Sequence, residues 1–199
     1  GTRDGENFRH QIAHILLEHE KITEKNIFFK FDFYGFCSEI IGEEHLKITY
    51  YTTKIKQPRQ KIPKALEKNI ASISAANRRW VAWLTNQKIK VVKAGHLRVR
   101  ESNACIHCGK RTLVLQEKGV DVRVATDLVH FARQKKGPIV LGSSDSDIVP
   151  ALEVAAGLGA PIIYLCYASQ LNRSVAAAAS KVITFDDKDV LKYFGKKHE

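Results

Sequence analysis

Cysteine is scarce in this chain of 199 residues, with only Cys37, Cys105, Cys108 and Cys166. Four scattered thiols are too few for a disulfide framework, so a reducing, cytoplasmic setting is the default expectation. No apolar run approaches the ~18–20 residues that cross a bilayer, and nothing at the start reads as a signal peptide, so no membrane partner is expected. The eight histidines form no Ser/His/Asp or HExxH arrangement, which leaves nucleophilic hydrolase and zincin chemistry without support. Repeats and low-complexity tracts are lacking too. Methionine is missing altogether, an initiator included. The expectation is a processed or tagged fragment, or a sequence that has lost modified methionines, in which some spacings run one short.

What the chain has in excess is positive charge. The net charge is +11, and its placement is uneven. Between Lys54 and Lys118 stand 16 basic and 3 acidic residues, whereas the remainder is slightly acidic. One continuous stretch therefore carries the whole surplus. A face that neutralises a polyanion is implied, with nucleic acid ahead of an anionic membrane, and a solvated lysine-rich surface is the plain alternative.

The length suits one α/β domain with a proper core. Phe8, Ile12, Ile15 and Leu16 fall at helical spacing, with Asn7 available as N-cap. The aromatic segment 28–41 has no clear period. Residues 46–51 have strand composition. A proline-punctuated basic loop around Arg59 and Lys61 precedes a helix over 64–86, marked by Leu66, Ile70, Ile73, Trp80 and Leu84. A strand at 89–92 leads through Gly95 into a basic, cysteine-containing insertion around 93–117. From Gly119 the rhythm is regular: helix 122–133, strand 138–141, helix 148–158, strand 162–165, helix 175–179, strand 182–185, helix 188–194. Such alternation implies right-handed crossovers and a mostly parallel sheet covered on both faces.

Ligands bind open parallel sheets beyond the carboxyl ends of their strands. There the sequence places Gly142, Ser143, Ser144, Asp145, Ser146 and Asp147. Hard cations such as Mg²⁺ or Mn²⁺ take carboxylate oxygens, so nearby aspartates suit them, although helix capping by Asp147 needs no metal. Asp4, Gly5, Glu6 and Asn7 form a second acidic group, at a turn before the first helix. The third is Lys118, Gly119, Val120 and Asp121, with Asp127 six residues on. Asp127 sits amid apolar neighbours, where a carboxylate costs several kcal/mol unless paired or metal-bound. Asp121 is better read as an N-cap.

These three groups, in this order and strand context, resemble the signature of NYN domains, a branch of the PIN-like ribonuclease superfamily. The likeness runs from Asp4 to Asp147 and continues through the elements that follow. It implies a three-layer α/β/α domain with a mostly parallel central sheet, acting as a metal-dependent endoribonuclease. By position, Asp4, Asp127, Asp145 and Asp147 would be the catalytic and metal-binding carboxylates for one or two Mg²⁺ or Mn²⁺ ions. Asn7, Ser143 and Ser144 would orient them or touch phosphate, and Lys118 would be an electrostatic partner. The chain departs from the family in two respects: PIN-like domains deliver the first aspartate from a hydrophobic strand, and only Gly1, Thr2 and Arg3 precede Asp4. Ile148 also replaces the aromatic that many relatives have after the second aspartate of the loop.

On this reading Arg59, Lys61, Lys64, Arg78, Arg79, Lys93, Arg98 and Arg100 track an RNA backbone toward the acids. Phosphate contacts and metal clusters do not themselves separate RNA from DNA. Trp80 and Trp83 are candidates for base stacking, but Trp80 lies on the helix's apolar register and is read as core. Cys105 and Cys108 supply half of a zinc site; His96, His107 or a second subunit would have to complete it, and reduced thiols are preferred. A catalytically weak RNA-binding or protein-interaction module of the same fold is the alternative function. Loop 142–147 is also similar to the phosphate-binding turn of carboxyaminoimidazole mutases, but no histidine follows the next strand as it does there. An Asp-x-Asp glycosyltransferase would leave Asp127 and the basic segment unexplained.

Overall fold

The computed structural model describes residues 4–23, 30–56, 61–104 and 106–195, except the side chains of residues 4–7. Helix α1 (Asp4–Glu18) turns one stripe inward, with Ile12, Ala13, Ile15 and Leu16 fully buried. It begins at Asp4 rather than after an Asn7 cap, so the expected turn at 4–7 is the helix's first turn. Helix α2 (Phe33–Ile41) resolves the aromatic segment: Asp32 caps it by accepting from Gly35 N, and Gly42 ends it in the left-handed region. Helix α3 (Lys64–Asn86) has the expected bounds. Trp80 is buried on it, edge-on to Phe33 and Tyr50, and Trp83 donates its indole N–H to Phe31 O at 3.1 Å. Both tryptophans thus serve the core.

Strand β1 (Thr49–Lys54) lies three residues later than its composition suggested. It runs parallel to β2 (Lys90–Glu101), whose Lys90 N bonds Ile48 O just ahead of it. A partner therefore sets its start, and composition cannot show where a partner begins. The expected basic excursion is itself a strand pair: β2 continues through twelve residues, and β3 (Leu113–Lys118) returns antiparallel to it. At the foot of this ribbon Gly95 is obligatory. Its φ is +63°, and a Cβ there would stand 2.2 Å from Lys118 O.

Helix α4 (Val120–Gln134) then leads to β4 (Ile139–Leu141), α5 (Val149–Gly157), β5 (Ile162–Tyr167), α6 (Arg173–Ala178), β6 (Lys181–Phe185) and α7 (Asp187–Lys192). β4, β5 and β6 pair in parallel. The central sheet is mostly parallel but in two halves: among the described residues β1 and β4 each pair on one side only, and α4 packs on both. Period-2 alternation along β5 divides the layers. Leu165 joins α1, α2, α3 and α7 on one face, while Ile162, Tyr164 and Cys166 join α4, α5 and α6 on the other. The result is a three-layer α/β/α fold. None of its described helices is long and apolar enough to cross a membrane.

Candidate metal and phosphate site

The loop after β4 is fixed from several directions. Ser143 is buried, and its Oγ accepts from Asp145 N at 3.3 Å. Tyr164, from β5, donates its hydroxyl to Ser144 Oγ at 2.8 Å, and Asn172 Nδ2 donates to Ser144 O at 2.9 Å. The same Asn172 caps α6 by accepting from Ser174 and Val175 N–H groups. Burial raises the Tyr164 pKa, which keeps the phenol a donor.

Asp145 is the central group. Only 5% of it is exposed. Its Oδ1 accepts from Asp147 N at 2.8 Å, capping a 3₁₀ turn over Ser146–Ile148 that runs into α5. Its Oδ2 is buried and makes no hydrogen bond. An unsatisfied buried carboxylate oxygen is costly. The capping role expected of Asp147 thus belongs to Asp145, and Asp147 is exposed.

Asp127 is differently placed. Its side chain is 16% exposed and receives Arg123 Nε on both oxygens, at 2.9 and 3.0 Å, besides the Tyr51 hydroxyl at 2.9 Å. A guanidinium and a phenol thus balance this partly buried carboxylate. Burial, then the bond to Asp127, pushes the Tyr51 pKa up. Asp121 lies in the first turn of α4, whose N-cap is Gly119, so it faces the helix dipole rather than capping. Lys118 is exposed at the end of β3. Helix α4 packs on β1, β2, β4 and the Ser146–Ile148 turn, which puts the Asp127 and Asp145 elements side by side.

Among the described residues no three His, Cys, Asp or Glu side chains gather as a metal site. Asp4 and Asn7 carry side chains outside the described residues, as do Arg59 and Cys105. Lys61, Arg78 and Arg79 are exposed, and Arg78 donates to Ser74 Oγ. Cys108 is a free, exposed thiol near the ribbon tip, while Cys37 and Cys166 are free and buried.

A cleft lies beside this loop, lined by Phe8, Gln11, Gly142, Ser144, Cys166, Tyr167 and Gln170 among others. Tyr167 donates to Asp187 Oδ1, and His19 Nε2 lies 3.0 Å from Asp187 Oδ2. Four residues around the carboxylates were not singled out from sequence: Tyr51, Arg123, Tyr164 and Asn172. The i,i+4 spacing of Arg123 and Asp127 could have revealed one pair, and an Asn just ahead of a small-residue helix could have revealed the α6 cap. Nothing local points to the tyrosines. The family model of the NYN domain matches residues 4–186. No curated protein and no solved structure matches the chain.

Proposed function

Because this chain belongs to the NYN domain family, part of the PIN-like nuclease superfamily, we propose that it is a divalent-metal-dependent endoribonuclease. The observation that carries this reading is Asp145, whose buried Oδ2 has no hydrogen-bond partner and stands just beyond the carboxyl end of β4. The donor chemistry suits Mg²⁺ or Mn²⁺, which take carboxylate oxygens and keep several waters. Asp145 would hold the ion, with Asp127, Asp147 and Asp4 as the further carboxylates of one or two sites. Such an ion supplies an activated water and neutralises charge on the phosphodiester under attack.

The chain's own groups prepare this chemistry. Tyr164 and Asn172 fix the loop, so that the Asp145 carboxylate is oriented before substrate arrives. Ser143, Ser144 and Asn7 would orient the acids or meet phosphate. Arg59, Lys61, Arg78, Arg79 and Lys118 would draw RNA toward them. A cytoplasmic setting fits the three described cysteines, each of them a free thiol.

The test is cleavage of an end-labelled RNA with Mg²⁺ or Mn²⁺, alongside calorimetric titration of Mn²⁺. The wild type should cut internally, and Asp145→Asn should lose both cleavage and Mn²⁺ binding while remaining folded, since an amide oxygen still caps the turn. One observation favours a second reading: Asp127 is already neutralised by Arg123. A wild type that binds RNA but never cuts it with either ion would establish a binding module and end the enzymatic one.

A further inference from the structure

Strands β2 and β3 build a feature of which the proposed site uses Lys118 alone. The last pairing of β1 with β2 joins Lys54 to His96. Beyond it β2 runs five more residues to Glu101, about 17 Å at strand rise, accompanied among the described residues by β3 alone. The ribbon therefore projects past the carboxyl end of β1, and β3 returns to that level at Lys118, directly before α4 and Asp127.

Its two faces are sorted by charge. Alternation puts His96, Arg98 and Arg100 on one face, opposite Lys118, Gln116 and Val114 of β3. The other face carries Leu97, Val99, Leu113 and Leu115 with Glu101 and Glu117. Arg98, Arg100 and Lys118 are exposed. A ribbon kept soluble by charge has no reason to place its cations on one face and its acids on the other. A polyanion that docks on one face does supply that reason.

We propose that this face is a tracking arm for single-stranded RNA, with Arg98, Arg100 and Lys118 following the phosphates that flank the cut site. It rests on the endoribonuclease reading for the identity of the polymer. Arg98 and Arg100 lie two residues apart on one strand, about 6.8 Å along it, comparable to the step between phosphates of an extended nucleic-acid strand. They stand in single file on β2, opposite Gln116 and Val114 on β3, which suits one backbone rather than the two of a duplex. The major groove of A-form RNA is moreover too deep and narrow to admit side chains. The arm carries no Phe, Tyr or Trp, and its cations, which have no base-reading partner beside them except His96, meet charge and spacing rather than base identity.

The experiment is anisotropy of a labelled oligouridine with the whole chain in EDTA, across a salt series, beside the same strand annealed to oligoadenosine. The variant Arg98→Gln/Arg100→Gln/Lys118→Gln should flatten the slope of log affinity against log salt by about 2, since each single-strand phosphate contact contributes about 0.7. Lys135→Gln/Lys136→Gln, at the other end of α4, should leave the slope as in wild type. Arg98→Lys/Arg100→Lys should retain it. Each single substitution, read separately should the triple variant misfold, should give about 0.7. An unchanged slope in the triple variant, an equal loss in the control, or tighter binding of the duplex would overturn the proposal. Because EDTA removes the metal, a protein that binds in this way but never cuts would sink the enzymatic reading alone.

Discussion

Replacing Tyr51 by phenylalanine removes one hydroxyl and leaves the ring, so no cavity opens. What is lost is the 2.9 Å bond from the phenol to Asp127 Oδ2. A hydrogen bond to a charged group contributes about 1.5–3 kcal/mol. Asp127 retains Arg123 and is 16% exposed, so water partly replaces the phenol and the lower end applies, about 1.5 kcal/mol. For a chain of this size that lowers Tm by about 3–6 °C. The direct measurement is a double-mutant cycle of Tyr51→Phe with Asp127→Ala by urea denaturation, with an expected coupling of about 1–1.5 kcal/mol. A pH series adds an independent check. The folded pKa of Tyr51 is raised, so its contribution is complete below the unfolded value of about 10 and is lost as pH climbs through the folded one. The stability gap between wild type and Tyr51→Phe should therefore narrow above pH about 10. Additive single substitutions, or a gap indifferent to alkali, would refute the tie between this phenol and the α4 carboxylate.

Asp187 tests the acid side. The Tyr167 hydroxyl, then His19, hold its pKa below the ordinary value, so its contribution is present above about 3.9 and disappears as pH falls through the folded pKa. Urea midpoints of Asp187→Asn should fall less steeply than those of wild type below pH about 4, though the site is a third exposed and the difference small. Two glycines separate strain from crowding. Gly42→Ala, at φ +76° with open space around it, should cost about 1–2 kcal/mol, whereas Gly95→Ala, facing the Lys118 carbonyl, should cost about 3 kcal/mol or more by equilibrium unfolding.

The helices were the most legible part of this fold, because their information is local. The apolar register of 64–86 gave both bounds of α3, and Trp80 fell on its buried side. Strands 138–141, 162–165 and 182–185 were legible to within two residues, but β1 and β2 were not, for a strand ends where its partner does. Within residues 93–118 the alternation of His96, Leu97, Arg98, Val99 and Arg100 is a strand signal, but it is short and follows Gly95 and the bulge where β1 and β2 lose register, so it does not announce a ribbon. That the sheet divides is legible only from the pairings.

For the site, the sequence located carboxylates better than it described their state. Asp127 and Asp145 look alike as letters: each is an acid that the family likeness makes a candidate ligand. In the fold they are opposites. Asp127 is balanced by Arg123, four residues before it, and by Tyr51, 76 residues away in the chain. Asp145 spends one oxygen on its own turn and keeps the other buried without a partner. A carboxylate that protein donors already satisfy must exchange them to take a metal, while one with an empty buried oxygen gains from any cation that reaches it. The order of loading follows from that contrast. On the proposed function, Mn²⁺ titrated calorimetrically without RNA should therefore bind in a way that Asp145→Asn abolishes and Asp127→Asn leaves in place, and the reverse outcome would refute the contrast.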